Sequence, residues 1–148
     1  MIVIVCLDDR NGMLFHGRRQ SRDRVVVEDM LKMCRGTRLW MNSYSARLLE
    51  EKRGEDVLVV QDDAYLTKVK KAEYCLVEKE KMASWENQIE LLIVYRWNRI
   101  YPSDFYFDLP LEDGKGWKKM KEEELIGYSH EKITKEYYQK EKQDAKEE

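Results

Sequence analysis

Residues 2–7, Ile-Val-Ile-Val-Cys-Leu, are continuously apolar and β-branched at their first four positions. A strand with one wet face alternates polar and apolar side chains, so an unbroken apolar run has to be covered on both sides. Such a strand belongs at the centre of a sheet, and the rest of the chain must supply a layer above it and a layer below.

The next elements fit that demand. Ser21 is placed to cap a helix in which Val27, Met30, Leu31 and Cys34 recur at i, i+3, i+4 and i+7, and Gly36 stands at a helix stop. Residues 37–41 (Thr-Arg-Leu-Trp-Met) read as a second strand. Residues 42–54 read as a second helix, with Asn42, Ser43 and Ser45 all able to cap its start and Gly54 able to end it. Residues 56–60 read as a third, buried strand, 73–78 as a fourth and 89–97 as a fifth. The alternation of strand and helix predicts an α/β fold whose sheet contains parallel pairs.

From Pro102 to Gly116 both prolines, two glycines and four acids predict a long loop. Residues 117–138 admit a helix by their charge pattern. Gly127-Tyr128-Ser129 interrupts them, however, and Ile133, Thr134, Tyr137 and Tyr138 favour a closing antiparallel hairpin. The expected organisation is one domain over 1–138 and a charged, disordered tail over 139–148, which has no apolar face.

Charged residues make up 38% of the 148 residues, yet the formal net charge is only -2, so no global basic field draws the chain to nucleic acid or to an anionic membrane. No apolar run reaches the 18 or so residues of a membrane span, and residues 1–7 are short and uncharged for a secretory signal. The expected compartment is the cytoplasm. Cys6, Cys34 and Cys75 are widely spaced within apolar runs, which favours reduced, packed thiols over disulfides or a zinc site. His16 and His130 lack partner spacing, so neither is given a role and no metal site is expected.

Among polar residues, Asn42, Ser43, Tyr44 and Ser45 form the main ligand-binding candidate. A strand running into a helix start presents backbone N–H groups and hydroxyls to an anion, although plain capping accounts for the same residues. Arg18 and Arg19 belong to a run of four arginines within residues 18–24, which attracts anions locally but also suits a solvated loop. Asp8 and Asp9 read as a strand-end turn. Asp23 or Glu28 would suit proton donation if one of them faced an apolar pocket. Tyr95, Trp97 and Tyr101 read as core or dimer-contact aromatics, leaving a homodimer open.

The order of elements, with "MIVIVCLDDRNGM" at the start, "LWMNSYS" before the second helix, and "YPSDFYFD" leading to "WKKMKEEELIGYSHEKITKEYY", resembles dihydrofolate reductase. The resemblance implies a three-layer sandwich with a mixed, mainly parallel sheet and a C-terminal antiparallel hairpin. It makes Asp23 or Glu28 the counterpart of the acid that helps protonate the pterin. Two departures weaken the reductase reading. Where the family has a Leu-Pro-Trp at the substrate mouth this chain has "GRRQSRD". Where the family has a Gly-Gly pair against the nicotinamide cofactor's diphosphate, this chain has no glycine from Gly54 to Gly114. No cofactor is therefore expected, NADPH included.

The chain also resembles small proteins of bacterial conjugative elements that sometimes carry a ribonuclease Z label. That chemistry needs a histidine-rich ligand cluster, and two histidines do not supply one. The expectation is a reductase-like module of a bacterial mobile element, without reductase activity, that binds an anionic small ligand or a protein partner. The alternatives are a divergent NADPH- or nucleotide-dependent reductase and a nucleic-acid binder using residues 18–24.

Overall fold

In the computed structural model, residues 1–50 and 56–141 are described. The apolar run forms β1 (Ile2–Leu7), and its side chains divide by period two between the two faces of the sheet. Val3, Val5 and Leu7 enter one core; Ile4 enters the other, with Ile2 and Cys6 packed against it. The strand lies at the middle of a seven-stranded sheet, as its composition requires.

The chain continues through β2 (Gly12–Phe15), β3 (Arg18–Arg19), α1 (Arg24–Met33), β4 (Arg38–Met41), α2 (Ser43–Leu49), β5 (Leu58–Gln61), β6 (Tyr74–Leu76), β7 (Leu91–Arg96), β8 (Phe105–Tyr106), β9 (Trp117–Leu125) and β10 (Ile133–Lys140). The large sheet runs β5-β4-β6-β1-β7-β10-β9. β1 is parallel to both neighbours, with Val3 opposite Cys75 on one side and Leu92 on the other. β10 is antiparallel to β7 and to β9, so residues 117–140 form the expected hairpin. The fold is an α/β sandwich of three layers: a mixed, mainly parallel sheet with a C-terminal antiparallel hairpin.

α1 and α2 cover one face, burying Val26, Val27, Met30, Leu31, Ala46 and Leu49 against Ile4, Leu39, Leu76 and Ile93. Lys135 of β10, buried against α1, pairs with Asp29 at 2.8 Å. Among the described residues, the other face carries no long helix. Met82, Phe107, Leu109, Leu111 and Trp117 close it, together with Tyr65 and Leu66 from a short 3-10 turn. Among the described residues no helix is long and apolar enough to cross a membrane.

Several local expectations are corrected. The helix begins at Arg24 with Asp23 as its N-cap, not Ser21, because Asp23 accepts from the Val25 N–H at 2.9 Å. β5 is an edge strand instead of a buried one, and Leu58 on it is 55% exposed. Of the stretch read as an arginine loop, Arg18 and Arg19 form β3 at the edge of a small antiparallel sheet, β3-β2-β8, and Arg24 opens α1, while residues 20–23 remain irregular. His16 (φ 52°) and Gly17 (φ 75°) make the two-residue connection between β2 and β3, both in the left-handed region that a type I′ hairpin turn needs. β8 likewise interrupts the expected 102–116 loop. β10 runs through Gln139 and Lys140, so the expected tail boundary falls inside a strand. The helix stop read at Gly54 and the tail residues 142–148 lie outside the described residues.

Candidate functional site

Asp23 is 3% exposed and joins the start of α1 to the turn between β9 and β10. Its Oδ1 accepts from the N–H groups of Val25 and Tyr128, each at 2.9 Å. Its Oδ2 accepts from the Ser129 N–H (2.8 Å), the Ser129 hydroxyl (3.1 Å) and His130 Nδ1 (2.9 Å). A carboxylate has about four lone-pair sites, so this one is saturated. Burial alone would raise its pKa. The His130 ring and the N–H groups of Tyr128, Ser129 and Val25 outweigh that and hold the carboxyl well below the usual carboxylate range. The condition for proton donation set out from the sequence, an apolar pocket around the acid, is not what surrounds Asp23. Glu28 is on the exposed face of α1.

His130 is the residue that local sequence reasoning passes over. It is 6% exposed, stacks on Trp97 with ring centroids 4.7 Å apart, and places Nε2 3.0 Å from Ser21 Oγ and 3.1 Å from the Tyr101 hydroxyl. Because an ionised Asp23 only accepts, the proton between the two is assigned to Nδ1, and Nε2 is left as an acceptor for the two hydroxyls. Gly127 lets the turn close on this pair: a Cβ there would meet the His130 carbonyl oxygen at 2.5 Å and Asp23 Oδ2 at 2.8 Å.

The Asn42–Ser45 segment is occupied by the protein's own acids. Asn42 caps α2 by accepting from the Ser45 N–H (2.8 Å) and donates its amide to Glu80 (2.8 Å), which also accepts from Tyr65. The Ser43 N–H donates to Asp63 at 2.8 Å, and Ser45 Oγ donates to Glu78 at 2.7 Å. Arg19 closes on Glu78 with two bonds of 2.8 Å and lies over the Tyr44 ring, 4.5 Å from its centroid. Lys79 lies over the same ring at 3.9 Å.

Beside Tyr44 an open cleft of about 490 Å³ is lined by Arg18, Arg19, Ser21, Arg22, Tyr44 and Arg47. A neighbouring cleft of about 460 Å³ shares Arg22 and Arg47 and adds Arg24, Asp23 and Tyr128. The structure thus brings together Arg18, Arg19, Tyr44 and Asp23 from the sequence candidates, while Asn42, Ser43 and Ser45 are engaged beneath them. The four arginines of residues 18–24 and Arg47 of α2 make one cationic surface. Under Ser21 the remaining interior space is only about 10 Å³, bounded by Cys6, Met13, Arg19, Glu78 and Trp97 among others.

Asp8, fully buried, is a structural acid. It accepts from the N–H groups of Gly12 (2.7 Å), Arg10 (2.9 Å) and Tyr101 (3.1 Å), tying the end of β1 to the 101–103 segment. Tyr95 and Trp97 are core residues. Burial pushes the Cys34 thiol up to about 12 and raises that of Cys75 as well, which fits packed, unreactive sulfur. Among the described residues no group of three or more His, Cys, Asp or Glu is placed to hold a metal ion.

The sequence matches no family model and no curated protein. In three dimensions the chain is similar to a dihydrofolate reductase from Enterococcus faecalis, complexed with NADP(H) and RAB-propyl. The match has a TM-score of 0.64 at 12% identity and covers 95% of this chain and 96% of that one. The chain therefore has a dihydrofolate reductase-like fold.

Proposed function

On this dihydrofolate reductase-like fold, we propose that the protein is a binding module for a small anionic ligand, held in the arginine-lined cleft beside Tyr44, and that it does not reduce pterins with NADPH. The observation that carries the reading is the convergence of Arg18, Arg19, Arg22 and Arg47 on one open cleft of about 490 Å³ in a chain whose net charge is -2. Positive charge concentrated against an acidic background focuses the local field on anions. Planar guanidinium groups suit carboxylate or phosphate by bidentate contact.

The cofactor's binding features do not fit. The segment after β6, where the family resemblance sets glycines against a diphosphate, carries Glu78 and Glu80. Glu78 is neutralised by Arg19, but Glu80 takes only a hydroxyl and an amide, leaving negative charge where a diphosphate would need to approach. Of the two candidates for the proton donor, Asp23 is held ionised and fully hydrogen-bonded, which disfavours it as an acid. The second sequence resemblance adds a bacterial mobile element as the setting.

Calorimetric titration and thermal shift with pyrophosphate, succinate, NADPH and dihydrofolate test the reading. Pyrophosphate or succinate at 100 times its Kd adds about 2.7 kcal/mol of stability, and Arg18→Ala with Arg47→Ala removes the effect. Oxidation of NADPH with dihydrofolate at an enzyme-like rate overturns it.

A further inference from the structure

We propose that Ser21, His130 and Asp23 form a nucleophile, base and orienting-acid relay that opens into the arginine-lined cleft, and that the protein hydrolyses an acyl ester of a small anionic molecule. The relay stands on its own geometry; the negative charge assigned to the substrate rests on the reading of the cleft given above.

Both hydrogen bonds of the relay have working lengths. Ser21 Oγ is 3.0 Å from His130 Nε2, and His130 Nδ1 is 2.9 Å from Asp23 Oδ2. The base is shielded and fixed: His130 is 6% exposed, and its ring is stacked on Trp97. The nucleophile is at the edge, since half-buried Ser21 lines the cleft. Helix capping does not account for Ser21, because Asp23 is the N-cap of α1. Its hydroxyl turns instead to the one ring nitrogen that can accept a proton.

In the acylation step the Ser21 O–H bond breaks, its proton passes to Nε2, and Oγ bonds to the carbonyl carbon of the ester. The bond from that carbon to the leaving alcohol then breaks, and Nε2 returns the proton to the alcohol. Water repeats the sequence at the acyl-serine, giving a carboxylate and restoring Ser21. Negative charge gathering on the carbonyl oxygen is answered by the guanidinium groups of the cleft. Asp23 does not touch the substrate. It is a positioning residue that fixes the imidazole tautomer and stabilises the imidazolium.

The test is labelling of the intact protein with a fluorophosphonate, mapped by peptide mass spectrometry, alongside hydrolysis of p-nitrophenyl hemisuccinate and p-nitrophenyl butyrate. The expected result is an adduct on Ser21 and hemisuccinate turnover roughly 100-fold or more above that of Ser21→Ala. Asp23→Asn keeps an N-cap acceptor, so it retains the helix while lowering kcat and leaving KM for the hemisuccinate unchanged. No adduct on Ser21, or an adduct on another residue only, overturns the relay. An adduct on Ser21 with equal turnover of the two esters overturns the anionic substrate, and with it the cleft reading, while the relay stands.

Discussion

The imidazole of His130 and the carboxylate of Asp23 meet at 2.9 Å across 107 residues of sequence, and the same carboxylate caps α1. One side chain thus ties the first helix to the last hairpin, so its ionisation is linked to stability. Asp23 has a depressed pKa in the native state and one near 3.9 unfolded, so the unfolded chain binds its proton first as pH falls. Its contribution is complete above about pH 4 to 5 and is lost as the pH drops below that. Urea midpoints of the wild type and Asp23→Asn should differ most at pH 7, and the gap should narrow progressively as the pH falls below about 4. A gap that stays constant with pH contradicts this linkage.

Gly127→Ala tests the closeness of that turn. The new Cβ would lie 2.5 Å from a backbone oxygen, that of His130, which cannot swing aside as a long side chain can. The 127–130 turn must then shift off Asp23. The expected loss is about 1–3 kcal/mol in denaturant unfolding, the range of forced overpacking. Hydrogen exchange of the Tyr128 and Ser129 amides, which donate to Asp23, should accelerate more than exchange in β1.

How much of this was readable along the chain depends on the range of the interaction. β1, β4, β7 and the closing hairpin follow from apolar runs and β-branched residues, since those patterns are properties of neighbours in sequence. β5 misled because an apolar run does not say whether a second strand will cover its outer side, and Leu58 ends on an edge. The Ser21 cap went to Asp23 because both residue types cap well, and the choice was made by the Tyr128–His130 turn over a hundred residues away. Asn42 and Ser45 read as helix caps or as ligands for an anion, but nothing near them in sequence announces that Glu80 and Glu78 will take their amide and hydroxyl. His130 had no signal at all: it is lone in sequence, and its partners Ser21, Asp23, Trp97 and Tyr101 come from other segments.

Arg19 and Glu78 form the support beneath the cleft, and their coupling is measurable. Their side chains are 19% and 9% exposed and joined by two bonds of 2.8 Å, so removing one partner strands a charge away from water. Glu78→Gln should cost about 3 kcal/mol, as buried pairs do when broken. The double variant Arg19→Met, Glu78→Leu should recover much of that loss, because no buried charge is left. A double-mutant cycle by urea unfolding reads the coupling directly; additive losses would show that the pair is solvated in solution.

Tyr101 competes with Ser21 for one lone pair. With Nδ1 protonated toward Asp23, His130 Nε2 offers a single acceptor site, and two hydroxyls stand at 3.0 and 3.1 Å from it. Whenever Tyr101 donates, the Ser21 proton has no base to go to. Tyr101→Phe removes the rival hydroxyl and keeps the ring, so Ser21 becomes the sole donor to Nε2. Fluorophosphonate labelling of Ser21 should therefore speed up in this variant, with the thermal midpoint lowered by no more than one lost hydrogen bond, about 1 kcal/mol. Slower labelling in a folded Tyr101→Phe protein would mean that the phenol holds the imidazole in place for Ser21, making Tyr101 a second positioning group beside Asp23.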